Sequence, residues 1–467
     1  MRSPLVYVIA SRDYLLTSSM RAAFKPSLSN TFHHRITHIF LNMQCRKNLF
    51  FAKSLLQSDD VMAENYYICV DGTFGAPKSF AYTRPLNGAQ TNLFINHRTM
   101  LNIYQIVSDK QWGGPEQYAF DLTAHIRELH NDNFYMEIVT QQRPKIIKHF
   151  RRLEIPISTL PLKSLSDLDS PIRLARQIKR GRNILHVHNF KDAATAVLAN
   201  KISENPNNRV VLTSHSVERP KTGFLYRRIL SEIHHIIFVS QVQYDEFINH
   251  AKRFPRERAS VIHDSIRPID TGTPAIDIRK SCNVPDGAAL IMFHGRVCKE
   301  KGVDVLLRAA AQLNKQTFHI AIVGDGSPRF MKRMKQFVEV NQLQGNVSFL
   351  GFQSELQKLI AQADFGVLPA TWREPFGISN LEYMMQGKAH IATTSGGQVE
   401  YLRHGENALL VTPGDFSELA DAMQTLIDDT QLRHSLGATA LTHFNANLSY
   451  PHFFEKITNL YTGLYKK

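Results

Sequence analysis

The segment Glu374-Pro-Phe-Gly-Ile-Ser-Asn-Leu-Glu382 holds the chain's most chemically suggestive residues. Pro375 keeps the stretch after Glu374 from being helical, and a helix is expected to start near Gly377. Amides at a helix start are unsatisfied within the helix and favour a phosphate or a sugar oxygen. Phe376, Gly377 and Ile378 would supply them. Glu382 falls one to two turns into the helix, where a carboxylate can accept two hydrogen bonds from a vicinal diol such as that of a ribose. A loop glutamate and a solvated helix glutamate would give the same letters. The intervening P-F-G and the strand-loop-helix context favour a site.

A second group is Gly295-Arg296 with Lys301-Gly302, directly after an apolar strand at Leu290–Phe293. Two cations there suit a diphosphate, each charge-assisted hydrogen bond being worth about 1.5–3 kcal/mol. Taken alone, the same letters fit a solvated basic turn. Gly324-Asp325-Gly326 follows the next strand as a tight turn able to bring backbone against a ligand. It lacks the third glycine of a dinucleotide fingerprint. Gly396-Gly397 allows close backbone approach, and Glu400 reads as a cap for the helix that follows it. In the first half, Trp112-Gly113-Gly114-Pro115 follows a strand, with Pro115 placed to open a helix. His215 follows the strand Arg209–Thr213. His186 and His188 have a spacing that suggests a metal, but no third ligand accompanies them. Asp167-Leu-Asp169 looks like a metal-binding aspartate pair, yet its place before a helical pattern makes helix capping the better reading.

Short apolar strands alternating with amphipathic helices must position these residues. Asn102–Val107, Phe134–Val139, Ile184–Val187, Arg209–Thr213 and His235–Val239 form one series. Leu290–Phe293, Ile320–Val323, Val347–Leu350, Phe365–Leu368, His390–Thr393 and Ala408–Val411 form another. Alternation of this kind predicts parallel sheets covered by helices, here two doubly wound α/β domains. Ligands of such sheets bind at the carboxyl ends of the strands. Asp264 to Gly287, with Pro268, Pro274 and Pro285, reads as the linker between them. The expected domains are 100–265 and 266–449, with a last helix at about 450–467 crossing back onto the first.

Residues 1–99 have no sustained periodicity and carry clusters such as Thr31-Phe-His-His-Arg35 and Arg46-Lys-Asn-Leu-Phe-Phe51. Met100 opens what looks like the first strand of a domain. The expectation is an extension of uncertain order, upstream sequence read through to a natural start at Met100. A divergent accessory domain is the alternative.

The chain has 467 residues and a formal charge of +14, so an anionic partner is expected. No nucleic-acid-binding signature accompanies that charge. The four cysteines (Cys45, Cys69, Cys282 and Cys298) show no pairing or metal spacing, which fits a reducing, cytoplasmic setting. No apolar run approaches the ~18 residues needed to span a bilayer. The basic stretch from Lys145 to Arg152 suits a solvated helix face. Peripheral contact with the inner face of a membrane is the other reading.

In order, G-R-x4-K-G, E-x7-E and G-G-x-x-E over residues 293–412 resemble glycosyltransferase family four, the group 1 retaining enzymes of GT-B fold. The likeness extends more loosely across residues 100–467 through Gly113-Gly114 and His215. It implies two Rossmann-like domains facing a cleft, and sugar transfer from a nucleotide-sugar donor to a glycan or lipid-linked acceptor. It further implies that Arg296 and Lys301 hold the diphosphate and that Glu374 binds the donor sugar with the amides near Phe376, Gly377 and Ile378. Glu382 would hold the ribose, Gly114 would approach the diphosphate from the other domain, and His215 would contact the transferred sugar. Gly113, Gly295 and Gly324 complete the expected donor site. No cofactor or metal is expected. The sequence departs from the family in the loop Pro369-Ala-Thr-Trp-Arg-Glu374, where Trp372 and Arg373 stand in place of a serine- or threonine-rich stretch. A nucleotide-sugar epimerase and a non-catalytic nucleotide-sugar-binding protein are the competing readings.

Overall fold

In the computed structural model of the protein, the described residues are 7–10, 67–70, 80–82 and 100–466, the last apart from 111, 130–132, 164–166, 218–219, 222, 269–275 and 354. The chain divides into a unit of residues 1–99 and a unit of residues 100–467. In the first, Tyr7–Ala10 pairs parallel with Tyr67–Val70, which pairs antiparallel with Phe80–Tyr82. The remainder of the stretch read as an extension lies outside the described residues.

The second unit holds two parallel sheets. The first comprises β1 (Leu101–Val107), β2 (Phe134–Thr140), β3 (Ile157–Thr159), β4 (Arg182–Val187), β5 (Asn208–Ser214), β6 (His235–Phe238) and β7 (Ala259–Val261), ordered β7-β6-β5-β4-β1-β2-β3. The second comprises β8 (Ala289–His294), β9 (Phe318–Val323), β10 (Val347–Gly351), β11 (Phe365–Leu368), β12 (Ala389–Thr393) and β13 (Leu409–Val411), ordered β10-β9-β8-β11-β12-β13. The two expected doubly wound domains are therefore present. Their central strands are continuous apolar runs because helices bury both faces; Ala289–His294 and Phe318–Val323 are buried at every position. Within this unit, sequence patterning missed β3 and β7, three-residue edge strands too short to show a period.

In each sheet the winding reverses beside its first strand, between β1 and β4 and between β8 and β11. Such reversals open a crevice at the carboxyl ends. The loops after β8 and β11 carry Arg296, Lys301 and Glu374. Of the linker reading, residues 269–275 lie outside the described residues. Its far end is not a linker: Ile278–Ser281 is a short helix, and Ile278 is fully buried in the second domain's core.

Five helices matter for the site: α1 (Gly114–Glu128), α2 (Gln241–His250), α3 (Val303–Ala310), α4 (Ile378–Met385) and α5 (Tyr450–Gly463). Helix α5 packs Phe453, Phe454, Ile457 and Tyr461 against Leu101, Ile103, Ile184, Val211 and Ile237 of the first sheet. Tyr465 beyond it places its hydroxyl 2.8 and 2.9 Å from the carbonyls of Asn183 and Asn207, which share its one proton. Ile457 is fully buried, so Ile457→Ala is expected to cost about 2–4 kcal/mol through transfer and cavity terms. A urea-unfolding midpoint unchanged from wild type would show that α5 does not help hold the first sheet.

In the basic stretch, Ile146 and Phe150 of the helix Pro144–Phe150 face the core, while Lys145, Lys148, Arg151 and Arg152 are exposed. Its apolar side is thus spent internally, as a solvated helix face requires.

Candidate active site

The loops after β8 and β11 are bound together by backbone. Gly302 has φ +71°, and a Cβ there would lie 1.8 Å from the Pro369 carbonyl oxygen. Thr371 N donates to Glu300 O at 2.9 Å, and Thr371 Oγ1 to Lys299 O at 3.0 Å. This contact brings Lys301 to Glu374: Nζ lies 2.6 Å from Oε1. Trp372 Nε1 donates to the same oxygen at 2.7 Å, and Lys301 Nζ sits 5.9 Å from the centre of the Trp372 ring. Glu374 is only 3% exposed. Among the described residues Oε2 receives no hydrogen bond, so one carboxylate oxygen is fixed and the other is uncommitted. The sequence placed Lys301 on a diphosphate and Glu374 on a sugar without foreseeing that the two pair. It set Trp372 aside as a departure from the family, yet its indole is a donor to the central carboxylate.

Both helices leading out of these loops begin with a glycine. Gly302 caps α3 and Gly377, at φ +87°, caps α4; neither helix start has a side-chain cap. A left-handed glycine turns the chain into the helix without a side chain covering the first amides, which stay available to an oxyanion. Phe376 is buried against His263 and Tyr401, so only its backbone can serve a ligand. Arg296 is exposed.

Gly295 and Gly324 lie on the neighbouring turns. Gly324 has φ +133°, and its close approach is to protein: a Cβ would sit 1.9 Å from Gly295 O. Glu382, on α4, meets His294 at the end of β8, with Oε2 2.6 Å from Nε2.

On the first domain, Gly113 and Gly114 are exposed at the start of α1. Close by, Glu116 is 1% exposed. Burial first, then the Asp109 charge, push its carboxyl up to about 7. His215 Nε2 lies 3.1 Å from His188 Nδ1, and the two rings stack at 5.4 Å. His188 Nε2 continues to Gln105 Oε1 at 2.8 Å, while His186 joins Tyr461 Oη at 2.6 Å and Thr213 Oγ1 at 2.7 Å. The pair that raised the question of a metal is thus engaged in a hydrogen-bonded row. Burial lowers His215 to about 3, so it offers a hydrogen bond and no charge. Asp167 accepts from Ser170 N and Lys163 N at 3.2 Å, a local turn, while the helix start beside it at Leu168 carries no side-chain cap, so the capping expected of this pair is not that of an N-cap residue.

Glu400 corrects its sequence reading. It caps a helix, but one in the other domain: it accepts from Gln241 N at 2.9 Å and Val242 N at 2.8 Å at the start of α2, and pairs with His263 at 3.0 Å. Burial raises its carboxyl, but these hydrogen bonds together outweigh that and hold it below the ordinary value. Arg373 reaches Glu246 of α2 at 3.2 Å. The two domains are therefore tied to each other by charge and by backbone amides.

Comparison with known proteins agrees with this geometry. Residues 112–268 match the family described as Glycosyltransferase Family 4, and residues 275–443 match Glycosyl transferases group 1. The chain is 25% identical over 367 residues to a GDP-mannose-dependent monoacylated alpha-(1-6)-phosphatidylinositol monomannoside mannosyltransferase of Corynebacterium glutamicum, covering 74% of this chain and 94% of that one. Over 162 residues it is 31% identical to the lipopolysaccharide core biosynthesis glycosyltransferase LpsE of Rhizobium meliloti, covering 35% of this chain and 46% of that one. The fold matches Anabaena HepE in complex with UDP and glucose, with a TM-score of 0.67 and 21% identity over 78% of this chain and 99% of that one. Two parallel-sheet domains of GT-B architecture and consecutive matches to both family halves lead to one conclusion: the chain belongs to the group 1 glycosyltransferases of family four and is a transferase that binds a nucleotide sugar.

Proposed function

We propose that the protein is a retaining glycosyltransferase that moves a sugar from a nucleotide donor to a glycan or lipid-linked glycan, in cell-surface polysaccharide or lipopolysaccharide synthesis. The observation that carries the reading is the Lys301–Glu374–Trp372 cluster beside two helix starts that no side chain caps. Departure of the nucleotide builds negative charge on the diphosphate and positive charge on the anomeric carbon. Arg296, Lys301 and the amides of both helix starts are aimed where the negative charge develops, so they favour the transition state over the ground state. In this reading no metal is called upon.

Glu374 takes hydroxyls of the donor sugar through its uncommitted oxygen, and Glu382 takes the ribose. Gly113, Gly114 and the Gly295 and Gly324 turns bound the diphosphate and base. His215, neutral, contacts the sugar without opposing its positive charge. Neither glutamate is assigned as a nucleophile, and the acceptor hydroxyl attacks on the face that the nucleotide leaves. The lipid-bearing acceptor named for the Corynebacterium relative and the lipopolysaccharide core named for the Rhizobium relative support the acceptor class. In this reading a lipid-linked acceptor is met at the inner face of the membrane; among the described residues no helix is long and apolar enough to cross one.

The test is a thermal-shift screen of the full chain against UDP-, GDP- and ADP-sugars. Turnover with the best binder then follows, reading the anomeric configuration of the product by NMR. Stabilisation by one nucleotide class and an α-linked product from an α-linked donor are expected. An inverted product would overturn the stereochemical assignment, and no stabilisation by any donor would overturn the site.

A further inference from the structure

Glu382 has a partner that lies outside the family motifs. His294 ends β8 and is 3% exposed. Its Nδ1 is 2.9 Å from Tyr383 Oη, and its Nε2 is 2.6 Å from Glu382 Oε2. Tyr383 is fully buried, and its hydroxyl donates to the Met292 carbonyl at 2.7 Å. A phenol has one proton, and a backbone carbonyl only accepts. Tyr383 Oη is therefore the acceptor toward His294, and Nδ1 is the donor. A carboxylate oxygen also only accepts, so Nε2 donates as well. Both ring nitrogens of His294 are thus engaged, Nδ1 by Tyr383 and Nε2 by Glu382.

The surroundings hold this arrangement in place. Tyr383 occupies the room that Gly366 leaves on β11: a Cβ at 366 would lie 2.3 Å from the ring. His390 of β12 stacks on Tyr383 at 5.9 Å. Burial lowers His390 to about 4, so it adds no competing charge. Burial and then the Glu382 charge hold the Tyr383 phenol well above its ordinary value, so it stays protonated.

We infer that His294 is a positioning residue for the nucleotide: its Nε2 fixes Oε2 of Glu382 and leaves Oε1 free to take the ribose diol. The inference rests on reading Glu382 as the ribose-binding group. It gives Glu382 the same construction as Glu374, with one oxygen held by a side-chain N–H donor and the other, among the described residues, without a protein donor.

The test compares the affinity of the full-length protein for UDP, GDP or ADP, whichever binds wild type best, with that for its 2′-deoxy and 3′-deoxy forms. A hydrogen bond to a charged group corresponds to roughly a tenfold or greater preference for the ribonucleotide in wild type. His294→Phe keeps a ring in the space but removes both donors, and the preference is expected to fall below about threefold. Tyr383→Phe removes one buried hydroxyl and disturbs packing equally close to Glu382, yet leaves Nε2 able to donate. It is expected to retain the wild-type preference. Because the preference is a ratio on one protein sample, partial misfolding does not change it. A wild-type protein that binds both sugars equally, with Glu382→Ala unchanged, would defeat the ribose assignment and this inference with it. A wild-type preference that survives in His294→Phe, or is lost equally in Tyr383→Phe, would overturn the role of His294 alone.

Discussion

Replacing Glu374 by alanine is expected to lower turnover about 10²-fold or more, the scale of a lost preorganised transition-state contact, while the nucleoside diphosphate still binds. The carboxylate is buried, and its donors come from two loops: Lys301 after β8, and Trp372 in its own loop after β11. Its removal deletes the proposed acceptor for the sugar and also leaves the Lys301 ammonium, 16% exposed, without its partner. Lys301→Ala is expected to lose a similar factor for the mirrored reason, because a buried carboxylate deprived of its counter-charge is the costly half of a broken ion pair. The two losses should not add. Each single substitution includes the penalty of an uncompensated charge that the double substitution lacks, so Glu374→Ala/Lys301→Ala should fall short of the product of the singles. Steady-state rates of the three variants with the preferred donor check this. Wild-type turnover in either single variant would remove the cluster from the mechanism, and strict additivity would mean that the pair is not coupled in the working enzyme.

What the sequence disclosed was whatever a local pattern encodes. Strands β8 and β9 are runs of apolar residues, Pro375 and Gly377 punctuate a loop and a helix, and each is legible within a few letters. Pairing across the fold was not. Lys301 and Glu374 are separated by 73 positions, and nothing in either neighbourhood names the other. They meet because the winding reverses between β8 and β11 and because Gly302 lets its chain lie on Pro369. His294 was invisible for a simpler reason. The apolar run ends at Phe293, and a histidine following it reads as the start of a loop; only the register of β8 against α4 reveals it facing Glu382. Glu400 was misassigned because capping was sought in the next helix, whereas the amides it accepts from belong to α2, 158 and 159 positions earlier.

The glycine pair after β12 shows how far the support of the site extends, and it yields the second large effect. Gly396 has φ +77°, and a Cβ there would fall 2.1 Å from Glu374 O and 2.5 Å from Glu374 N. Gly397 N donates to the same Glu374 carbonyl at 2.8 Å. The turn after β12 is therefore the surface on which the Glu374 backbone rests, and backbone, unlike the end of a flexible side chain, cannot rotate away. Gly396→Ala is expected to destabilise the protein by about 2–5 kcal/mol, combining left-handed strain of about 1–2 kcal/mol with overpacking of about 1–3 kcal/mol. It should also reduce turnover at least tenfold by displacing Glu374 from Lys301 and Trp372, since a shift near 1 Å is enough to cost that much. Gly405 provides the control: its φ is +76°, and a Cβ there meets nothing within 4 Å. Gly405→Ala should carry the backbone strain alone, about 1–2 kcal/mol, and leave turnover at the wild-type level. Urea midpoints and initial rates of the two variants separate strain from collision. Equal destabilisation with full activity in both would mean that the loop after β12 does not set the position of Glu374.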